Sequence, residues 1–444
     1  MSRYRSGPRP AFLSIAALGA VVLAAGCSSS ASSSGPGSGG SAAPTSVATS
    51  SGITGNQNHT SVTNYLQYVG GKAGPANNSL APVEIGYINQ QGGPTAVGLL
   101  ATNGAEMAVS YINKQLGGVD GHPVKLVTCF IASAEEEGTG CAQKFLADKD
   151  IKAVAMGGVV IGVQSFYATL AGKLPVIDGV AALPIDGAQN NTVVLFGDGT
   201  HVLGPMGTYA TTVLHAKDAV VLYPDDSADS PGALAIEAGL KAAGVKVTMG
   251  PYPPTATDLT SVLAATGAAS ADMVIPYTDA SGCVAIAKAL IAEGITDIKK
   301  VVSAPLCLNG QVAAGMGGDF PKWTYSIASS LFGDTTDPGM PAYETVAAKY
   351  TTQSDAPDPW EIVDFGQLLT VDKILNEVGY AGLTPSAILA AGKAFKGPQA
   401  LGAPSLDCGE FPSAPGICND QAQFFEYEGH NTWVKAAGWL KPAA

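Results

Sequence analysis

The sequence predicts an α/β fold made of two similar lobes, each built on a doubly wound parallel sheet. Short apolar segments alternate with segments of helical periodicity in two runs, residues 83 to about 180 and residues 219 to about 303. Strands that are buried on both faces are apolar throughout, and intervening helices make the crossovers of a parallel sheet. Residues 190–203 carry no strong strand signal, so we expect them to separate the lobes.

The first run begins with residues 83–88, which are typical of a buried strand, and residues 92–94 form a turn. Apolar residues then recur at helical spacing from Gly98 and stop near Gly117 and Gly118, which predicts an amphipathic helix. Further strands of this run are predicted at residues 124–127, 153–156 and 176–177.

The second run repeats the same order of elements. A strand that breaks at Pro224 is followed by a predicted helix. The predicted strands of this run are residues 219–223, 245–247, 273–276 and 300–303, and the predicted helices are residues 232–243 and 282–293.

The amino terminus has the features of an export signal. Three arginines precede an apolar stretch, residues 11–25, which is shorter than the roughly 20 residues of a membrane span. Cys27 directly follows Ala-Ala-Gly and resembles the cysteine of a bacterial lipobox, although Leu23 lies four residues before it instead of the usual three. We expect a signal peptide over residues 1–26 and a lipid on Cys27; a plain signal peptide followed by an incidental cysteine is the alternative.

The composition agrees with an exported protein. Residues 27–80 are predicted to form a lipid-anchored tether, because most of that segment is rich in serine and glycine. The net charge is −13 at pH 7, which argues against nucleic acid as a partner. No segment after residue 27 is long and apolar enough to span a bilayer. We therefore expect the protein on the outer face of the cytoplasmic membrane.

Seven cysteines are present, and six remain when Cys27 is set aside. Six cysteines allow 15 connectivities, among which the sequence cannot choose. Pairing between close neighbours is the natural expectation in an oxidising compartment. Metal binding is disfavoured because there is no Cys-x-x-Cys and the five histidines are scattered. The expected pairs are Cys129–Cys141, Cys283–Cys307 and Cys408–Cys418.

The order of the elements resembles that of the type I periplasmic solute-binding proteins, in particular the branched-chain amino-acid receptors of ABC transporters. Residues 104–113 are similar to the family's first helix, and residues 117–124 to its Gly-Gly-(Ile/Val)-x-Gly hairpin. Residues 219–223 with 239–244 are similar to the opening of its second lobe, and residues 364–379 to its late helix.

The resemblance implies three chain crossings, a multi-strand hinge, and a ligand held in the cleft at the carboxyl ends of the strands. The first lobe would comprise residues 81–201 and 333–420, and the second residues 202–332 and 421–444. The implied function is capture of a small organic molecule and its delivery to an ABC-type permease. A surface lipoprotein that senses a ligand without transport is the alternative, and an enzyme is a third hypothesis.

The loops at the strand ends supply the candidate ligand contacts. Glycine there lets a ligand approach backbone N–H groups, and tyrosine offers an apolar face with a polar tip. The candidates are Gln91, Gly93, Thr95, Gly157, Gly158, Gln164, Asp178, Gly179, Tyr223, Asp226, Tyr277, Thr278 and Asp279.

The identity of the ligand is left open by these loops. Amino-acid receptors of this family usually hold the ligand carboxylate with Ser/Thr hydroxyls in two first-lobe loops, and residues 157–162 and 178–182 lack them. Asp279 is the predicted partner for an ammonium group. A less polar or differently charged molecule is therefore at least as well supported as a branched-chain amino acid.

The catalytic sequence motifs that would support an enzymatic function were not found. Gly-x-Ser-x-Gly, His-Glu-x-x-His and a P-loop are all missing from the sequence. We expect no catalytic residues, no cofactor and no metal.

Overall fold

The computed structural model describes residues 54–55, 61–93, 98–181, 183–226, 229–350 and 359–443. Its strands are β1 Thr54–Gly55, β2 Val83–Gln90, β3 Val124–Ile131, β4 Ile151–Met156, β5 Val176–Asp178, β6 Thr192–Val194, β7 Asp218–Pro224, β8 Lys246–Tyr252, β9 Met273–Pro276, β10 Val302–Ser303, β11 Thr324–Ile327, β12 Lys396–Gly397, β13 Leu406–Asp407, β14 Ala422–Gly429 and β15 Thr432–Leu440. Its α-helices are α1 Tyr65–Val69, α2 Leu99–Gln115, α3 Glu135–Ala147, α4 Val163–Leu170, α5 Pro184–Ala188, α6 Gly199–Leu203, α7 Pro205–Thr212, α8 Ser230–Ala242, α9 Thr260–Thr266, α10 Ala280–Ala292, α11 Gly310–Gly315, α12 Met340–Tyr350, α13 Pro359–Val378 and α14 Pro385–Lys393.

The first lobe is built on a parallel sheet with the strand order β3-β2-β4-β5-β6. Every residue of β2 is buried, because helices cover both faces of the sheet. Helices α2 and α13 pack on one face, and α3 and α4 on the other. Gly86 in β2 leaves room for the ring of Phe145, which lies 3.1 Å from where a Cβ would be. The predicted α/β fold is confirmed here.

The second lobe is built on β8-β7-β9, all parallel, and a bridge from Val274 to Val301 continues this sheet toward β10 and β11. The antiparallel hairpin β14–β15 pairs with β11, and β1 pairs with β15 at the edge of the sheet. Helices α9, α10 and α11 cover one face, and α7 and α8 the other. Each lobe therefore has cores on both faces of its own sheet.

The expectation for residues 190–203 is wrong in one respect, because this segment contains β6 and α6. Strand β6 is the edge of the first sheet and pairs with β5. It escapes the sequence pattern because it is only three residues long. After it the chain passes to α7 and the second lobe.

The segment before the first sheet packs on the first lobe. Tyr65 and Val69 of α1 are buried against α2 and α13, while Leu66 and Tyr68 are half-buried. The backbone then pairs with the end of α2, through Lys72 N–H to the carbonyl of Leu116 at 3.0 Å. The apolar patch of residues 65–69 lies within the segment predicted as tether and packs on the body, as its apolar side chains indicate.

Three disulfides join the cysteine pairs that the sequence suggests. Cys129 of β3 bonds Cys141 of α3, and Cys283 of α10 bonds Cys307, while Cys408 bonds Cys418 in the last crossover. The disulfides close loops of between 10 and 24 residues. On the chain-entropy account, each of them stabilises the fold by about 3 kcal/mol. Cys27 lies outside the described residues.

In the described part of the chain, no helix combines the length and the hydropathy that a bilayer span requires.

Candidate ligand-binding site

A pocket lies where the two lobes meet at the carboxyl ends of their parallel strands. It is a narrow cleft whose enclosed space has room for about one water molecule. The first lobe, the β6–α7 crossover and the second lobe each contribute to its walls. The lining residues are Leu183, Pro184, Gly199, Thr200, Pro231, Gly232 and Tyr277.

The first-lobe wall is fixed by the start of α5. The buried carboxylate of Asp186 accepts a hydrogen bond from the N–H of Leu183 at 3.1 Å. Pro184 occupies the first turn of α5, where its missing N–H costs nothing. The Asp186 side chain therefore fixes the turn that carries the lining residues Leu183 and Pro184.

The crossover wall is fixed by Asp198, which caps α6. Its Oδ1 accepts from the N–H groups of Thr200 and His201, both at 3.0 Å, and lies 2.7 Å from His201 Nδ1. Asp198 is buried, whereas Thr200 is exposed at the pocket mouth.

The second-lobe wall depends on a close approach between Gly232 and Tyr277. A Cβ on Gly232 would lie 2.1 Å from the Tyr277 hydroxyl oxygen, so only glycine fits this position on α8. Burial, and then the nearby Asp229 carboxylate, raises the pKa of Tyr277. Its hydroxyl therefore stays protonated and able to donate a hydrogen bond.

Three carboxylates lie together beside this wall. Asp226 Oδ1 accepts from the N–H of Asp229 at 2.9 Å, and Asp279 caps α10 by accepting from the N–H of Gly282 at 2.8 Å. Burial, with the charges of Asp226 and Asp279, raises the pKa of Asp229 to about 7. Asp229 precedes α8 but its side chain makes no capping hydrogen bond there.

A second acidic group lies behind the first-lobe wall. Asp178 ends β5 and is fully buried. Burial, and next the charge of Asp186, raises the pKa of Asp178 well above its usual range. Asp178 Oδ2 has no hydrogen-bond partner within the described residues. Both walls thus place carboxyl groups close to one another.

In the loops after β4 and β5, backbone N–H groups donate hydrogen bonds to side-chain oxygens of the protein itself. Gln90 Oε1 accepts from Val160 and Ile161, at 2.9 and 3.1 Å. Asp178 Oδ1 accepts from the N–H of Val180 at 2.9 Å. These N–H groups are therefore not available to an anionic ligand.

Within the described residues, His, Cys, Asp and Glu side chains form no group of three that could hold a metal ion.

The sequence profile of the family described as "Periplasmic binding protein" matches residues 82–410. The chain belongs to this family. A search of curated protein sequences found no significant match.

Solved structures of periplasmic binding proteins share the fold of this one at low sequence identity. The leucine-binding protein LivK of Thermotoga maritima is 15% identical, with a TM-score of 0.65, over 81% of this chain and 99% of that one. LivJ of Streptococcus pneumoniae in complex with isoleucine is 18% identical, with a TM-score of 0.65, over 81% and 100%. A solute-binding protein of R. palustris in complex with benzoate is 17% identical, with a TM-score of 0.63, over 81% and 98%. The two-lobed type I fold is thereby confirmed, and the family is one of solute-binding proteins.

Among the predicted contacts of this periplasmic binding protein, Tyr277 lines the pocket. Several glycines instead allow close packing within the first lobe. A Cβ on Gly93 would lie 1.6 Å from the carbonyl oxygen of Ala132, and one on Gly179 would lie 2.6 Å from the side chain of Gln367. A Cβ on Gly157 would lie 3.0 to 3.1 Å from side-chain oxygens of Asn89, Tyr87 and Asp364.

The other predicted contacts have varied surroundings. Gln91 Oε1 accepts from the Thr102 hydroxyl at 2.7 Å, and the buried Thr278 hydroxyl hydrogen-bonds that of Tyr252 at 2.8 Å. Gly158 is buried, Tyr223 is half-buried, Gln164 is exposed, and Thr95 lies outside the described residues.

Six lining residues escaped the sequence analysis: Leu183, Pro184, Gly199, Thr200, Pro231 and Gly232. They lie at the first turns of α5, α6 and α8, beyond the strand ends. Proline near the start of α5 and α8 was the available signal, because it marks a helix amino terminus.

Proposed function

We propose that this periplasmic binding protein captures a small organic molecule between its lobes and delivers it to the membrane permease of an ABC transporter. The observation that supports this most directly is the pocket itself, whose walls come from both lobes and from the crossover between them. Relatives of the same fold hold isoleucine and benzoate, which supports a small organic ligand.

The proposal includes a closing motion of the lobes, with boundaries at residues 81–201 and 333–420 for the first and 202–332 and 421–444 for the second. A ligand that contacts both walls binds the closed arrangement better than the open one and shifts the population toward it. The permease would recognise that closed state. Tyr277 is the contact that the pocket supports, and the other predicted contacts stay predictions.

The test of this site uses Thr200→Trp, because Thr200 is exposed at the pocket mouth and a large ring there fills the pocket without disturbing a core. Thr212→Trp, on an exposed position of α7, is the matched control. A ligand that raises the melting temperature of the wild type should raise that of Thr212→Trp equally and leave that of Thr200→Trp unchanged. The wild type should also become more compact in small-angle scattering when that ligand is added. Unchanged dimensions and unchanged binding by Thr200→Trp would refute the proposal.

We further propose that the mature chain begins at Cys27 with an attached lipid and is tethered to the outer face of the cytoplasmic membrane. The Ala-Ala-Gly-Cys sequence and the Ser/Gly-rich segment behind it support this. A labelled fatty acid should be incorporated into the wild type and not into Cys27→Ala. Equal labelling of the two proteins would contradict the anchor.

A further inference from the structure

The segment that precedes the first sheet contacts both lobes of the protein. Strand β1 pairs in parallel with β15, which belongs to the sheet of the second lobe. From Ser61 onward the segment lies on the first lobe, where Val62 and Tyr65 are buried in the core. We call residues 54–55 and 61–76 the strap. Its two ends are therefore bound to different lobes.

The first-lobe end of the strap is held by side chains and by the backbone. The ring of Tyr65 packs edge-on against that of Phe365 in α13, with 5.6 Å between the ring centroids. The Tyr68 hydroxyl forms a hydrogen bond of 2.9 Å with that of Thr370, also in α13. The N–H of Lys72 donates to the carbonyl oxygen that follows α2, at 3.0 Å. This end is thus fixed to two helices of the first lobe.

The second-lobe end of the strap lies beside a strand that holds a crossover between the lobes. This crossover, residues 328–339, leads from β11 of the second lobe to α12 of the first. In the β1–β15 pairing, Gly55 is opposite Lys435. The buried ammonium group of Lys435 lies 2.7 Å from the carboxylate of Asp334 in the crossover. Strand β1 is therefore paired with the very residue that fixes the crossover to the second lobe.

The strap also contacts the same crossover directly. The Tyr65 hydroxyl donates to the carbonyl oxygen of Gly339 at 3.4 Å. A Cβ on Gly339 would lie 2.7 Å from Ser61 Oγ and 2.8 Å from the carbonyl oxygen of Val62. Rotation of one lobe against the other requires changes of backbone dihedral angles in the crossovers. The crossover is thus held by β15 and by the strap together.

We propose that the strap restrains the hinge and favours the arrangement of the lobes that this structure shows, in which the cleft between them is narrow. The strap contacts are made in this arrangement, so a rearranged crossover would lose them, and their loss raises the free energy of other arrangements. This inference rests on the lobe motion of the proposed function, but not on the identity of the ligand. Because the strap is the end of the predicted tether, the segment that anchors the protein also restrains its hinge.

Two variants release the strap at its two ends. Thr54→Pro combined with Gly55→Pro removes both N–H groups of β1 and should detach it from β15. Gly339→Ala places a methyl group where Ser61 and Val62 now lie, and the φ of Gly339 is not positive, so alanine fits the backbone. The second variant keeps the test valid if the first folds poorly.

Each variant has a matched control. Ser38→Pro combined with Gly39→Pro introduces the same two prolines into the Ser/Gly-rich part of the tether. Gly140→Ala adds a methyl group to α3 at a position where a Cβ would meet nothing within 4 Å. Both controls should behave like the wild type.

The measurement is backbone hydrogen exchange of the purified proteins without added ligand, followed by mass spectrometry. We expect exchange in residues 328–339 to become about tenfold faster in both strap variants, because local opening no longer breaks the contacts with the strap. Both variants should also be less compact than their controls in small-angle scattering, since the lobes separate more often.

The outcomes distinguish this inference from the proposed function. Unchanged exchange in residues 328–339 in both variants overturns the inference. Faster exchange with unchanged dimensions also overturns it, because the strap would then stabilise the crossover without restraining the lobes. Equal acceleration throughout both lobes would reflect a general loss of stability and overturns it as well. In each of these cases the proposed function stands or falls separately, with ligand binding by Thr200→Trp.

Discussion

Asp229→Asn should make the protein more stable at pH 8. The pKa of Asp229 is raised from 3.8 to about 7 by burial and by Asp226 and Asp279. The folded protein therefore binds a proton more tightly than the unfolded chain does, and the free energy of unfolding falls as the pH rises from about 4 to about 7. Above that window the wild type carries the full cost of a charged Asp229.

The size of this cost follows from the pKa difference. Each pKa unit corresponds to about 1.4 kcal/mol, so the difference sets an upper limit of about 4 kcal/mol. Asp229 is only partly buried, so screening by solvent reduces the expected value to about 2 kcal/mol. Asparagine does not ionise and removes this cost.

The assay is chemical unfolding of wild type and Asp229→Asn at pH 4 and pH 8. The groups that face Asp229 are Asp226, Asp279, Tyr252 and Tyr277, and the tyrosines stay protonated at both pH values. We expect a gain of about 2 kcal/mol at pH 8 and little difference at pH 4. A gain that is absent at pH 8, or equal at the two pH values, would refute the reasoning.

Three further predictions concern the rest of the fold. Lys435→Met should lower the free energy of unfolding by about 3 to 5 kcal/mol in urea, because it leaves the buried Asp334 without its countercharge, and Lys435→Met with Asp334→Leu should recover most of the loss. Tyr65→Ala should lower the free energy of unfolding by about 3 kcal/mol, because it removes the buried ring through which α1 packs on the body. Gln67→Ala, on the exposed side of α1, should change that free energy little. Peptide mapping without reduction should recover Cys129–Cys141 and the two other local pairs; free thiols or crossed pairs would contradict the assignment.

The sequence predicts those elements that have a strong local pattern. Strand β2 is apolar along most of its length, and α2 places its buried residues at helical spacing, so both are predicted near their true positions. Strand β6 has only three residues, too few for a pattern that distinguishes it from a loop. Local patterns predict the lobes because each lobe repeats strand and helix in order.

The pocket is harder to predict, because its geometry depends on residues far apart in the chain. Gly179 looks like a ligand-facing glycine at a strand end, yet the side chain of Gln367 lies against it. Thr200 lies in a segment without a pattern and reaches the pocket because α6, in the crossover, packs against α8 of the second lobe. A sequence can indicate which edge of the sheet carries the site, but the neighbours of a glycine at that edge follow from tertiary packing.

Two carboxylates cap helices near the pocket, so each contributes both to the local geometry and to the local charge. Asp198 holds the first turn of α6 through two N–H groups, and Asp279 holds that of α10 through the N–H of Gly282. Asparagine caps a helix about as well as aspartate and carries no charge, whereas alanine removes both the cap and the charge. The Asn variants at these positions therefore remove the charge and keep the helix cap. The Ala variants remove the charge and also lower helix stability by about 1 kcal/mol, because the cap is lost. A loss of binding in Asp198→Ala that Asp198→Asn does not reproduce would point to geometry, and equal losses in both would point to charge.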